Sequence, residues 1–311
     1  MHCSSRRELL LLATGLPALA QFSTGVQVVN VFVTVRDKQR RLVRNLAKDG
    51  FNLTEDGRKQ PIGYFSAETS LPLTLGLLFD LSGSQRTVIP EQREAAAVFL
   101  QQMLRTSMDE AFLAGFNQHA FLIEPITADR SRLERSLRTL EVPRGTDGQI
   151  SREARGSALL DALSAASGEL EGRSGRKAIV VLSDGIDTAS STTLSAAIEA
   201  LQRADVSLYP IRVYDRKVFA FDIPGPGTDN LREGKKALER MARETGGATF
   251  EVSDAQTLTK NFAALEDELR SQYSLGYSPP RSSSKAYRKI RVSVKAKGLA
   301  VQARDGYYGR E

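Results

Sequence analysis

The sequence predicts an α/β fold built on a mostly parallel central sheet with helices on both faces, together with a small antiparallel β unit. Three observations carry this prediction. From Leu71 to about Arg270, short apolar runs alternate with segments whose apolar residues recur at helical spacing. Before that stretch, Val26 to Arg36 is instead rich in Val, Phe and Thr, with a turn signal at Asp56-Gly57, and after it the pattern returns to strands. The composition is globular: 311 residues, 41% hydrophobic and 26% charged. That is enough chain to bury a core without metal or disulfide staples, and it excludes a disordered or collagen-like polymer.

The first twenty residues read as an address. Arg6 and Arg7 precede the nearly unbroken apolar run Leu9 to Ala20, which ends in the small-x-small sequence Ala18-Leu19-Ala20. This is the layout of a secretory signal peptide, and the run is shorter than the roughly 20 apolar residues a membrane span needs. Cleavage after Ala20 is therefore expected, placing the product in the periplasm, at the cell surface or outside the cell, with no transmembrane segment. The single cysteine, Cys3, lies before the apolar run, and of His2 and His119 only the latter would survive. Thiolate zinc sites and Cys-x-x-Cys redox chemistry are excluded.

Residues 21–70 contain the strand-like stretch Val26 to Arg36 and then Phe51 to Gly57, where Asp56-Gly57 is a turn signal before Gln60 to Phe65. In residues 71–270, Leu75 to Phe79 is a buried strand, followed by a helix through Ala96, Phe99, Leu100 and Met103. Phe112 to Phe116 and Ala120 to Ile126 form a strand pair around a turn at Asn117 to His119. Helices follow at Arg130 to Leu140 and through Leu159, Ala162, Leu163 and Ala166, then a strand at Ala178 to Leu182. A helix through Leu194, Ala197, Ile198 and Leu201, a strand at Val206 to Val213, a helix around Leu238 and Met241, a short strand at Ala248 to Val252 and a helix from Leu258 to Leu269 complete the series. The Pro-Gly-rich stretch from Tyr214 to Asn230 and the polar segment Arg144 to Arg155 are expected to be loops.

Residues 271–311 return to strands and are expected to pair with 21–70, because neither set alone makes a full sandwich. The net charge of +6 is concentrated here: Arg281 to Glu311 holds nine basic residues against Asp305 and Glu311, a net +7, and the rest of the chain is close to neutral. Such a tail can bind anionic polymers. Yet Ile290, Val292 and Val294 alternate with Lys289, Arg291, Ser293 and Lys295, which reads as a strand with one wet face that blunts a sheet edge. Nucleic acid is not expected as a partner of an exported protein.

Two apolar runs end in acid, Leu77-Leu78-Phe79-Asp80 and Val180-Val181-Leu182-Ser183-Asp184. In a parallel sheet both acids emerge at the carboxyl edge, where open α/β sheets bind ligands. Ser82 and Ser84 follow the first acid at alternate positions, and Ser157 stands at a helix start. An all-oxygen set of Asp80, Ser82, Ser84, Ser157 and Asp184, without His or Cys, suits a hard divalent cation, Mg²⁺, Mn²⁺ or Ca²⁺. The alternative is that the serines are turn and N-cap residues and Asp184-Gly185 a simple turn.

Asp80-x-Ser82-x-Ser84, Gly156-Ser157-Ala158-Leu159-Leu160-Asp161-Ala162 and Leu182-Ser183-Asp184-Gly185 resemble, in order, the three pieces of the metal-ion-dependent adhesion site (MIDAS) of von Willebrand factor A-type domains. The resemblance covers roughly Leu71 to Arg270. Phe51 to Gly57, Glu244-Thr245-Gly246-Gly247, Gln272 to Tyr277 and Arg304 to Tyr308 are similar to a group of exported bacterial von Willebrand A-related proteins prominent in Acidobacteria. The resemblance implies a Rossmann-like domain that holds Mg²⁺ or Mn²⁺ through Asp80, Ser82, Ser84 and Asp184, with a partner's Asp or Glu completing the shell. The family's usual Thr in the second motif is Ser157 here, which keeps the hydroxyl and loses the methyl that stiffens the rotamer. Asp187 and Thr188 are not assigned as ligands, and Asp161 is expected on a helix surface.

Three functions follow. A non-enzymatic binding or adhesion module has an open oxygen site and no catalytic base. A metal-dependent hydrolase would need a second acid where Ser82 stands, or a histidine other than the turn residue His119. A structural envelope protein would carry the same motif with the metal site unused. The first is the expected function, with no catalytic residue and no organic cofactor.

Overall fold

The computed structural model describes residues 28–67, 71–213, 226–252, 255–279 and 286–309. The expected signal peptide and most of the expected loop at 214–230 lie outside these residues. Strands β1 (Val29–Arg36), β2 (Phe51–Glu55), β3 (Arg58–Gln60) and β4 (Tyr64–Ser66) come first. The alternating series is β5 (Leu73–Asp80), α1 (Ile89–Met103), β6 (Glu110–Phe116), β7 (Ala120–Thr127), α2 (Arg130–Arg138), α3 (Leu159–Glu169) and β8 (Arg176–Ser183). It continues with α4 (Leu194–Arg203), β9 (Ser207–Arg212), α5 (Pro226–Thr245), β10 (Phe250–Glu251) and α6 (Ala255–Arg270). Strands β11 (Tyr273–Tyr277), β12 (Tyr287–Val294), β13 (Ala300–Gln302) and β14 (Gly306–Tyr308) close the chain.

The central sheet has the order β10-β9-β8-β5-β6-β7 and is parallel except for β7, which returns antiparallel to β6. Every residue of β5 and β8 is buried, as expected of inner strands covered on both faces. Helices α1, α2 and α6 cover one face, where Phe99 meets Phe262 at 4.6 Å between ring centroids. Helices α3, α4 and α5 cover the other through Leu163, Ile198 and Met241.

The remaining strands form two antiparallel sheets, β13-β1-β11-β4 and β14-β12-β2-β3. Each mixes strands from the two ends of the chain: Val31 pairs with Leu275, and Leu53 with Val292. Their inner faces share one core that includes Val31, Val33, Leu53, Tyr273 and Ile290. The turn at Asp56-Gly57 has φ of 48° and 79°, two consecutive left-handed residues that match the twist of the hairpin β2–β3.

Two expectations are corrected. Helix α5 begins at Pro226, inside the stretch expected to be a loop to Asn230, because proline is well tolerated in a helix's first turn, where its missing N–H has no partner to lose. Strand β12 alternates as expected, but it lies between β14 and β2. β14 pairs with Tyr287 to Lys289 and β2 with Ile290 to Val294, so the basic side chains lie on the wet face of a strand that has a different neighbour along each half of its length.

The β unit is fastened to the amino-terminal edge of the central sheet. Buried Glu268, near the end of α6, accepts from Arg36 at 2.5 Å, Gln302 at 2.9 Å and Thr34 at 3.3 Å. Gln272 donates to Tyr209 at 2.9 Å and to Thr34 at 3.3 Å. The end of α5 is equally tight: a side chain on Gly247 would place its first carbon 1.9 Å from the Leu208 carbonyl oxygen. Gly247→Ala is expected to lower stability by at least about 2 kcal/mol, read as a reduced urea midpoint with an unchanged slope.

Candidate metal centre

Strand β5 ends in Asp80, and Asp184 directly follows β8. The two strands are hydrogen-bonded parallel neighbours with Phe79 opposite Leu182, so both carboxylates leave the sheet at its carboxyl edge. From β5 the chain moves outward through β6 and β7, then crosses back to build β8, β9 and β10 on the other side. The acids therefore flank the point where the strand order reverses, the place where the connecting loops diverge and leave a crevice.

Asp80 is fully buried and Asp184 is 2% exposed. The Ser82 backbone N–H donates to Asp80 Oδ1 at 3.0 Å, which folds the loop after β5 back on its own strand. The Ser82 and Ser84 hydroxyls lie 3.1 Å apart, and Ser84 donates to Asp184 Oδ2 at 2.9 Å. Ser157 reaches Asp80 Oδ2 at 3.5 Å. The five predicted residues thus converge on one spot, although no backbone segment supplies more than three of them.

The loops are pinned independently of the site. The Ser157 N–H donates to Thr188 Oγ1 at 3.0 Å, and its carbonyl accepts from Thr188 N at 2.9 Å and Ala189 N at 3.0 Å. Ser157 is not the N-cap of α3. That position is Ala158, and the first turn is capped instead by Asp187, which accepts from Leu160 N at 3.0 Å, and by the Ser190 hydroxyl at 3.0 Å from Asp161 N. Asp161, expected to be a plain surface residue, clamps the same loop by accepting from Thr192 N at 2.8 Å and Ser191 N at 3.0 Å. Hydrogen bonds from Thr192 and Ser191 hold its carboxyl below the usual range. Asp161 and Asp187 thus carry loop structure and leave the Ser157 hydroxyl available.

Three contributors were not singled out from sequence. Ser183 donates to Asp80 Oδ2 at 2.7 Å. Buried Gln85 donates to Asp184 Oδ2 and to the Val213 carbonyl, both at 3.2 Å, and accepts from Gln92 at 3.2 Å. Arg212 donates to the Asp184 carbonyl at 3.3 Å and pairs with Glu251 at 2.8 Å. Ser183 lies within the third motif and could have been read there, whereas Gln85 and Arg212 carry no local signal.

Burial, followed by repulsion from Asp184, pushes the Asp80 carboxyl up to about 7. Burial also raises Asp184, opposed by donors from Ile186, Ser84 and Gln85. Among the described residues Asp80 has no ion pair, and no group of three or more His, Cys, Asp or Glu side chains gathers as a metal site. The donor set is two carboxylates and three hydroxyls; Ser82, Ser84, Ser157 and Asp184 line a cleft of about 540 Å³ together with Asp147, Gln149, Ile150, Arg155 and Thr188, whereas Asp80 is fully buried and does not line it. A desolvated carboxylate pair without a countercharge on Asp80, ringed by neutral hydroxyls, fits a hard divalent cation. His119 is exposed in the β6–β7 turn.

No protein-family model and no curated protein matches the sequence. Solved structures similar to this chain include an aerotolerance-related membrane protein from Bacteroides fragilis, with 20% identity over 63% of this chain and 98% of that one and a TM-score of 0.45. Another is a von Willebrand factor type A protein from Catenulispora acidiphila, with 13% identity over 92% and 75% of the two chains and a TM-score of 0.46. A third is the vWF domain of the pilus tip protein Mfa5 from Porphyromonas gingivalis, with 13% identity over 65% and 96% and a TM-score of 0.47. The α/β architecture rests on the strand order described above.

A buried acid whose pKa is raised makes the folded state hold a proton that the unfolded chain releases near pH 4. Stability in the absence of divalent cations is therefore expected to fall as pH rises from about 4 to about 7 and to level off above that. Urea midpoints in EDTA across this range check it, and Asp80→Asn should flatten the fall.

Proposed function

We propose that the chain is an exported, non-enzymatic binding module. In this reading Asp80, Ser82, Ser84, Ser157 and Asp184 hold Mg²⁺ or Mn²⁺, with Ca²⁺ as a third candidate, directly or through water. A protein partner supplies an Asp or Glu carboxylate that completes the cation's shell. Residues 1–20 act as the signal peptide, 71–270 as the binding domain, and 21–70 with 271–311 as its β companion.

The observation that carries this reading is the convergence of the five oxygen-bearing side chains, four of which (Ser82, Ser84, Ser157 and Asp184) line the cleft while Asp80 is fully buried beside them, with both acids desolvated. The bound cation supplies positive charge and an exchangeable coordination position. The protein's own residues set how strong that charge remains: two acids and three neutral hydroxyls leave the ion electrophilic toward an outside carboxylate. Among the described residues no helix is long and apolar enough to cross a membrane.

Isothermal titration of Mg²⁺ and Mn²⁺ into EDTA-stripped protein tests the site. Saturable binding is expected in the wild type and its loss in Asp80→Ala, with the far-ultraviolet spectrum retained; a folded wild type that binds neither ion would overturn the proposal. Ser157→Thr should preserve affinity, whereas Ser157→Ala should weaken it by about tenfold, in line with loss of one oxygen ligand.

A further inference from the structure

Arginines that form no ion pair among the described residues lie beside the candidate site, and they bear on the chemistry of its partner. Between α2 and α3 the chain folds into a finger. Arg144 and Ile150 form an antiparallel bridge, Gly145 N donates to the Gln149 carbonyl at 2.8 Å, and Ser151 N donates to the Pro143 carbonyl at 3.0 Å.

Ile150 of this finger lines two clefts. One is the 540 Å³ cleft that contains Ser82, Ser84, Ser157 and Asp184. The other, about 220 Å³, is lined by apolar Ile89, Leu140 and Val142 and by Arg86, Arg93 and Arg144. Arg93 is half-buried and aimed by donation to the carbonyls of Arg138 at 3.0 Å and Leu140 at 3.3 Å. Arg86 and Arg144 are exposed. Among the described residues none of the three forms an ion pair, in contrast to Arg105, Arg132 and Arg173 nearby in sequence. Glu141 is the carboxylate that lines this second cleft, so three guanidinium groups face one acid there.

Guanidinium forks match carboxylates and phosphates alike. The apolar lining separates the candidates, since Ile89, Leu140 and Val142 accept a hydrocarbon side chain and give nothing to a sugar or a phosphate. We infer that the partner presents an extended acidic protein segment across both clefts. One carboxylate enters the first cleft, an apolar side chain packs on Ile89, Leu140 and Val142, and a further carboxylate meets Arg86, Arg93 and Arg144. The inference rests on the proposed reading of the first cleft as a carboxylate-accepting cation site.

Fluorescence anisotropy tests it, with a labelled peptide carrying a Glu-Leu-Glu core, its Gln-Leu-Gln and Glu-Ser-Glu counterparts, heparin and single-stranded DNA. Each is titrated with the full chain in Mg²⁺ or in EDTA. The Glu-Leu-Glu peptide is expected to bind best. The exposed-residue double variant Arg86→Gln/Arg144→Gln should weaken it by at least about tenfold and flatten its salt dependence, as loss of charge complementarity requires, with the melting temperature unchanged. If Asp80→Asn or EDTA abolishes binding while the double variant binds normally, the arginine assignment fails and the cation reading stands. If the double variant loses binding while Asp80→Asn and EDTA have no effect, the arginine surface stands and the cation reading fails. Absence of peptide binding, or tighter arginine-dependent binding of heparin or DNA, overturns the inference.

Discussion

Two carboxylates are taken out of water side by side, Asp80 at the end of β5 and Asp184 at the end of β8, and much of the surrounding structure follows from the cost of doing so. Burial disfavours the charged form of each, and each charge disfavours the other. The donors that meet these acids come from separate parts of the chain: Ser82 and Ser84 from the loop after β5, Ser157 from the approach to α3, Ser183 from β8 itself, and Gln85 from the turn before α1. Further hydrogen bonds through Thr188, Asp187 and Asp161 hold those loops to one another. The site is therefore preformed by its supports rather than by its own donors, which leaves hydroxyl oxygens free to face the cleft.

The opposite edge of the sheet is closed. Glu268, Arg36, Thr34, Gln302 and Gln272 join α6 and the antiparallel strands in a buried polar network. Buried ion pairs are weak sources of net stability but penalise misalignment, because a displaced partner leaves a desolvated charge behind. Anchoring the β unit at the amino-terminal edge keeps it away from the carboxyl edge, where the cleft opens. It also leaves the cleft among loops on a rigid scaffold, where changes in loop sequence cost little core packing.

Much of the fold was legible in the sequence because its signals are local. The apolar runs of β5 and β8 read as inner strands, and Leu159, Ala162, Leu163 and Ala166 read as a helix, since burial imposes their periods directly. Asp80, Ser82 and Ser84 were legible as a cluster of oxygen donors because they follow one another at a strand end. The start of α5 at Pro226 was not, since proline signals a break in most contexts and only its place in the first turn makes it harmless. Nor could the alternation in β12 say whether the strand lay inside a sheet or at its edge, because a wet face looks the same in both.

By itself, the sequence determined the succession of elements, the two acids at strand ends and the oxygen-only chemistry around them, all of which depend on residues close together in the chain. Only the tertiary structure decided that β5 and β8 are neighbours across the reversal of strand order. It alone decided that Ser157 faces Asp80 because Asp187 and Ser190 cap α3 in its place, and that Gln85 and Ser183 complete the polar shell. These are contacts between residues up to about a hundred positions apart, and pairing at that range is selected by the packing of the whole core rather than by any local pattern.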